Sequence, residues 1–149
     1  MKHRFTPSTS IYVFSTIGIV TAIILIFSSI QSNQLYAKIN CIILLLAIIY
    51  NMSQIPLYTI IESDQIIIKK VIGKKTSKDI KKVEPISRIV AAQSIRRFAN
   101  GGLFFYGGKY WNPEIGDYRA FLLNYKEIAV ITTSKGEKLL INYPKGLLE

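Results

Sequence analysis

Apolar positions follow two regimes along this chain. No Lys, Arg, Asp or Glu occurs from Phe5 to Ala37, and none again from Ile39 to Ile61. Beyond Glu62 the apolar residues come in short groups separated by turn-forming residues. Ile11–Ile30 and Ile39–Ile61 are each long enough to cross a bilayer, whose core of about 30 Å takes about 20 helical residues. Pro56 marks the expected end of the second helix, because proline disfavours helical geometry in the residue before it. The pattern predicts an N-terminal tail over 1–10, a transmembrane helix over 11–30 and a short loop over 31–38. A second transmembrane helix follows over 39–56, reaching about 61 if extended, and a β domain over 57–149.

The second regime reads as strands. Leu57–Ile61 and Gln65–Ile72 flank the turn Glu62-Ser63-Asp64 and form a hairpin. Gly73-Lys74-Lys75 turns again, and Thr76–Val83 is a third strand. Ser87–Phe98 fits a strand or a short helix. Tyr118–Leu123, Ile128–Thr133 and Lys138–Tyr143 are three more strands, the last two joined by Ser134-Lys135-Gly136-Glu137. Regularly spaced short strands point to a barrel or sandwich.

Charge sharpens the picture. The chain of 149 residues carries a formal +10. All nine acids lie from Glu62 onward with sixteen of the nineteen basic residues, so that region is at +7. Such a balance favours polyanions. Lys2 and Arg4 precede the first apolar run, Lys38 alone sits between the two, and Lys69, Lys70, Lys74 and Lys75 follow the second. The positive-inside rule then places both termini on the cytoplasmic side of an inner membrane. A cleaved signal peptide is the alternative reading of the basic start. It is disfavoured by the length of the first run and by the weak exit site Leu35-Tyr36-Ala37. Gly18-x-x-x-Ala22 permits close helix contact, and Asn40, Asn51 and Gln54 are amides that want partners.

The string Ile95-Arg96-Arg97-Phe98-Ala99-Asn100-Gly101-Gly102-Leu103-Phe104-Phe105-Tyr106-Gly107-Gly108-Lys109-Tyr110, followed by Ile115-Gly116-Asp117-Tyr118, resembles bacterial pleckstrin-homology (PH)-like domain proteins. Their typical run is Arg-x-Phe-Gly-x-Gly-Gly-Leu-Phe-Gly-Tyr, then an Ile/Leu-Gly-x-Tyr turn. Arg97, Phe98, Gly101, Gly102, Gly107, Gly116 and Tyr118 carry the match and are expected to be structural. Ala99 and Phe105 stand where the pattern has Gly, which removes easy access to positive φ. The resemblance covers about 56–143. It implies an α+β membrane protein, a two-helix hairpin followed by a mainly-β PH-like barrel lacking a full C-terminal helix.

Few residues suit catalysis. His3 is the only histidine and Cys41 the only cysteine, so a zinc site lacks nitrogen and sulfur ligands, and a His-assisted nucleophile has no support. The glycine-rich segment fails the P-loop spacing, because Gly107 is followed by Gly108 rather than Lys. Glu114 and Asp117 read as a solvated turn. No enzyme activity, cofactor or metal is expected. Cys41 reads as a small packing residue, and no intramolecular disulfide can form.

Two surfaces are candidates. Lys69, Lys70, Lys74, Lys75, Lys78, Lys81 and Lys82 form a basic face suited to anionic lipid headgroups. Phe104, Phe105, Tyr106 and Trp111 form an aromatic surface suited to a protein partner or a second copy. The leading expectation is a membrane-anchored binding or scaffolding module that recognises a protein partner. Electrostatic docking on anionic lipid is the alternative, and a small transport-associated subunit the third. Nucleic acid is disfavoured for a domain held at a membrane.

Overall fold

The structure, a computed structural model, describes residues 2–32, 34–62 and 65–144. Two long helices lie near the start of the chain, α1 (Thr9–Gln31) and α2 (Leu35–Ser53). At 1.5 Å per residue they are about 34 and about 28 Å long. Both are long and apolar enough to cross a membrane. Their apolar side chains point outward: only 6% of the most apolar stretch of α1 and none of that of α2 is buried.

The Ser8 hydroxyl caps α1 by accepting from the Ile11 amide at 3.4 Å. The helix α2 begins at Leu35, earlier than the charge pattern suggested, so the expected loop 31–38 shrinks and Lys38 joins the helix. The helix ends at Ser53, and Pro56 opens a strand instead of lying within an extended helix.

Among the described residues, ten strands and one short helix make up the rest. They are β1 (Lys2–His3), β2 (Pro56–Ile61), β3 (Gln65–Lys70), β4 (Lys74–Lys78), β5 (Ile80–Pro85), α3 (Arg88–Ala92), β6 (Ile95–Gly101), β7 (Tyr106–Asn112), β8 (Gly116–Leu122), β9 (Ile128–Thr133) and β10 (Lys138–Asn142). They form two open sheets, β1-β2-β3-β4 and β5-β9-β10-β8-β7-β6. The expected closed barrel is therefore replaced by a domain with free edges. The predicted strand Thr76–Val83 splits at Asp79, whose φ of 56° sends β4 into one sheet and β5 into the other. Asp tolerates this left-handed conformation better than most residues. The strand β10 lies parallel to β8 (Leu140 beside Ala120) and antiparallel to β9. The Ser63-Asp64 part of the predicted first turn and the segment 145–149 lie outside the described residues.

The six-stranded sheet carries a core on each face. Tyr118, Ala120, Leu122, Val130 and Leu140 face one core, which also takes Ile11 of α1, Ala91 of α3 and the rings of Tyr106 and Tyr110. Tyr110 and Tyr118 stack at 5.6 Å. Burial pushes the Tyr110 hydroxyl up to about 12 against the opposing effect of Arg96, so it stays neutral and donates to the Asn100 carbonyl at 3.1 Å. Phe121, Ala129, Ile131, Leu139 and Ile141 face the second core, where they meet Ile66 and Ile68 of β3.

The N-terminal segment belongs to the β domain. Lys2 and His3 pair with Ile60 and Thr59 of β2. The Ser8 amide donates to the Leu123 carbonyl at 2.8 Å, and Asn124 Nδ2 donates to the Thr6 carbonyl at 2.9 Å. The expected free tail over 1–10 is thus tied in, and β1 and the domain share one end of the helical hairpin.

Candidate functional site

The glycine-rich, aromatic segment fastens the sheet to the helices. Asn100 organises the β6–β7 turn: its Oδ1 accepts from the Leu103 amide at 2.9 Å, and its Nδ2 donates to the Leu103 carbonyl. The same Nδ2 reaches Asn51 Oδ1 on α2 at 3.2 Å. The Phe104 amide donates to Ser15 Oγ on α1 at 2.8 Å. Phe104 itself holds φ 67°, a costly conformation for a bulky residue. A Cβ on Gly18 would come within 2.7 Å of Leu103 Cδ1, so the small residue on α1 admits the turn. Sequence spacing had suggested helix contact there. The amides Asn51 and Gln54 find partners in the β domain: Gln54 Oε1 accepts from Lys70 Nζ at 2.6 Å.

Two of the four residues of the expected aromatic surface are buried. Phe105 is 5% and Tyr106 9% exposed, Phe104 and Trp111 are partly buried, and Tyr106 packs on Tyr125 at 4.6 Å. Phe98 is instead the outstanding exposed aromatic, at 85%. The other motif residues are structural in different ways. Tyr118 donates to Ser94 Oγ at 2.7 Å. Arg97 pairs with Asp117 at 2.9 Å. Gly102, Gly108 and Gly116 have φ of 113°, 117° and 80°. Gly101 leaves room for the Arg96 guanidinium, and Gly107 for the Phe105 ring. The left-handed positions thus fall at 102, 104 and 108, and neither Ala99 nor Phe105 needs to be glycine. A bulge between Arg96 and Phe98 breaks the alternation, leaving both Arg96 and Arg97 exposed.

The seven lysines divide. Lys69, Lys70, Lys74 and Lys75 flank the β3–β4 turn, which is tied to the end of α2: the Val71 amide donates to the Ile55 carbonyl and the Ile72 amide to the Ser53 carbonyl, both at 3.0 Å. Lys78 lies four residues from Lys74, about 13 Å along a strand and beyond the ~10 Å Debye length. Lys81 and Lys82 are on β5 in the other sheet, with Lys82 paired to Glu84 at 2.7 Å. Within the turn group Lys75 is paired to Glu137 at 2.7 Å. Burial, Arg119 and Lys75 together hold the Lys70 ammonium below its usual pKa. Lys69 and Lys74 are cross-strand neighbours without a carboxylate in salt-bridge range among the described residues. Val71 and Ile72 between them are 49% and 64% exposed.

Beside this turn lies a groove of about 520 Å³. It exists because the six-stranded sheet is wider than the four-stranded one that packs on it. Lys109 and Arg119 are register partners across β7 and β8, and Phe98 pairs with Lys109 across β6 and β7. These three side chains, with Phe121, form one face; Phe105 and Gly107 line it, and Tyr50 and Asn51 of α2 with Gln54 just beyond the helix form the wall. No carboxylate lines it. No protein-family model, curated protein or solved structure matches the chain.

Proposed function

We propose that this chain is a membrane-anchored, non-enzymatic binding module whose β domain docks on anionic lipid headgroups at the cytoplasmic face of its membrane. In this reading α1 and α2 span the bilayer, and the β domain is a divergent, open relative of the PH-like fold. One observation carries it. The β3–β4 turn, with exposed Val71 and Ile72 between Lys69, Lys70 and Lys74, is hydrogen-bonded to the last residues of α2. Apolar residues ringed by lysines at a helix end suit the boundary between acyl chains and phosphates. The burial of Phe105 and Tyr106 weakens the protein-partner reading.

Each lysine near an anionic leaflet contributes about 1 kcal/mol. Lys69 and Lys74 together should supply about 2 kcal/mol, roughly 30-fold in the docked-to-free ratio. Hydrogen exchange of full-length protein in nanodiscs is the test. Peptides covering 69–75 should exchange more slowly in phosphatidylcholine–phosphatidylglycerol discs than in phosphatidylcholine alone, and Lys69→Gln with Lys74→Gln should remove the difference. Equal exchange in both lipids would contradict the reading and redirect the search to a protein partner at the exposed β6 edge.

A further inference from the structure

We propose that the groove between α2 and the uncovered half of the six-stranded sheet is a stoichiometric site for one anionic phospholipid, its phosphate held by Arg119 and Lys109. This deepens the lipid-docking reading and rests on it, but it concerns a discrete pocket rather than the diffuse charge of the turn.

Three observations identify the occupant. The first is charge. Arg119 and Lys109 lie side by side in register, both exposed, and no carboxylate lines the groove; Asp117 and Glu137, which share an adjoining pocket with these two cations, are paired to Arg97 and Lys75. Lys70 lies at its edge, held by Gln54, and is repelled by Arg119. An anion between these cations relieves the repulsion, and the planar guanidinium suits bidentate contact with a phosphate. The second is position. The groove wall is the last turn of α2, so its mouth opens where a spanning helix leaves the acyl region. The third is the apolar rim. Phe98 at 85% and Tyr50 at 64% exposure flank the cations. Aromatic rings favour the interfacial layer, and these two offer a surface for the glycerol and upper acyl segments. A soluble phosphate would use the cations alone and leave both rings in water.

The backbone shapes the groove. Gly107 lines it without a side chain, and the Phe105 ring fills the space that a Cβ there would need. The edge strand β6 brings Phe98 opposite Lys109 only through its bulge, so the register irregularity places the ring at the mouth.

The test is native mass spectrometry of the full-length protein in detergent with added phosphatidylglycerol or phosphatidylcholine. A single retained phosphatidylglycerol is expected, with phosphatidylcholine retained at least tenfold less. Arg119→Gln with Lys109→Gln should lower retention at least tenfold, Arg119→Lys should restore part of it, and a thermal melt checks that each variant folds. Lys69→Gln with Lys74→Gln should leave the adduct intact, which separates this site from the docking turn. Competition with inorganic phosphate distinguishes the sources: a lipid site resists millimolar phosphate. Displacement by phosphate, no adduct, or an adduct unchanged in the double Gln variant would overturn the site. If the adduct fails while the turn still responds to anionic lipid, only the groove assignment falls.

Discussion

Replacing Asn142 by Leu is expected to lower stability by about 3–5 kcal/mol, although Leu is close to Asn in size. Asn142 is 3% exposed at the end of β10. Its Oδ1 accepts from the Leu123 amide at 2.7 Å. Its Nδ2 donates to the Asn124 carbonyl and Asn124 Oδ1, both at 3.0 Å, and to the Glu127 carbonyl at 3.1 Å. One amide therefore ties both ends of the β8–β9 connection to β10. Leu would leave the Leu123 N–H and the Asn124 carbonyl short of partners, at about 1–3 kcal/mol for each group left unpaired, while the Glu127 carbonyl keeps the Tyr143 amide at 3.1 Å. The damage reaches α1, because Leu123 accepts from Ser8 and Asn124 donates to Thr6. Asn142→Asp keeps the bond from Leu123 but turns a carboxylate oxygen toward three acceptors, so it should be no milder. Thermal unfolding followed by circular dichroism in detergent checks this. A shift of under 1 kcal/mol for Asn142→Leu would mean that the connection finds other partners.

The second large effect is expected at Gly108, where Ala should cost about 3–5 kcal/mol. Its φ of 117° lies outside the range that L side chains adopt readily. A Cβ there would also collide with the Phe98 carbonyl and sit 2.5 Å from Ala99 Cα. Backbone atoms of a paired strand cannot swing aside as a side chain can, so β6 must separate from β7. Gly136→Ala is the internal control: φ is 78°, but nothing lies within 4 Å. It should cost only the conformational part, about 1 kcal/mol. The two substitutions measured side by side by thermal unfolding separate strain from collision. Equal costs would show that strand contact contributes nothing at Gly108.

Both predictions concern residues whose roles the sequence conceals. A run without charges is legible as a helix long enough to span a membrane, and alternating Ile66 and Ile68 are legible as strand core. Asn142 resembles any polar residue entering a turn. Its burial depends on β10 lying between β8 and β9, a topology that periodicity does not encode. The two-residue β1 is too short to show any pattern, and only its pairing with Ile60 and Thr59 reveals it. Asp79 sits inside what reads as one strand, and the break is a backbone choice made by one residue.

The lysines illustrate a different gap. Seven basic residues within fourteen positions read as one face, yet Asp79 puts two of them on another sheet and acids neutralise Lys75 and Lys82. The groove is less visible still. Phe98, Lys109 and Arg119 are distant in sequence and meet only through the register of three strands. Within the aromatic segment Phe105 and Tyr106 are buried, and the turn is fastened to α1 through Phe104 and to α2 through Asn100.

The most direct test of membrane docking is the depth of the β3–β4 turn. Cys41 is the only cysteine, so Cys41→Ser with Ile72→Cys allows one environment-sensitive fluorophore on full-length protein in nanodiscs. A second probe at Lys135→Cys, on the exposed β9–β10 turn, serves as the reference. The docking account predicts blue-shifted emission at position 72 in phosphatidylglycerol-containing discs at low salt. The shift should weaken in phosphatidylcholine and at high salt, while position 135 reports water throughout. Water-like emission at position 72 in every lipid and at every salt concentration would contradict docking.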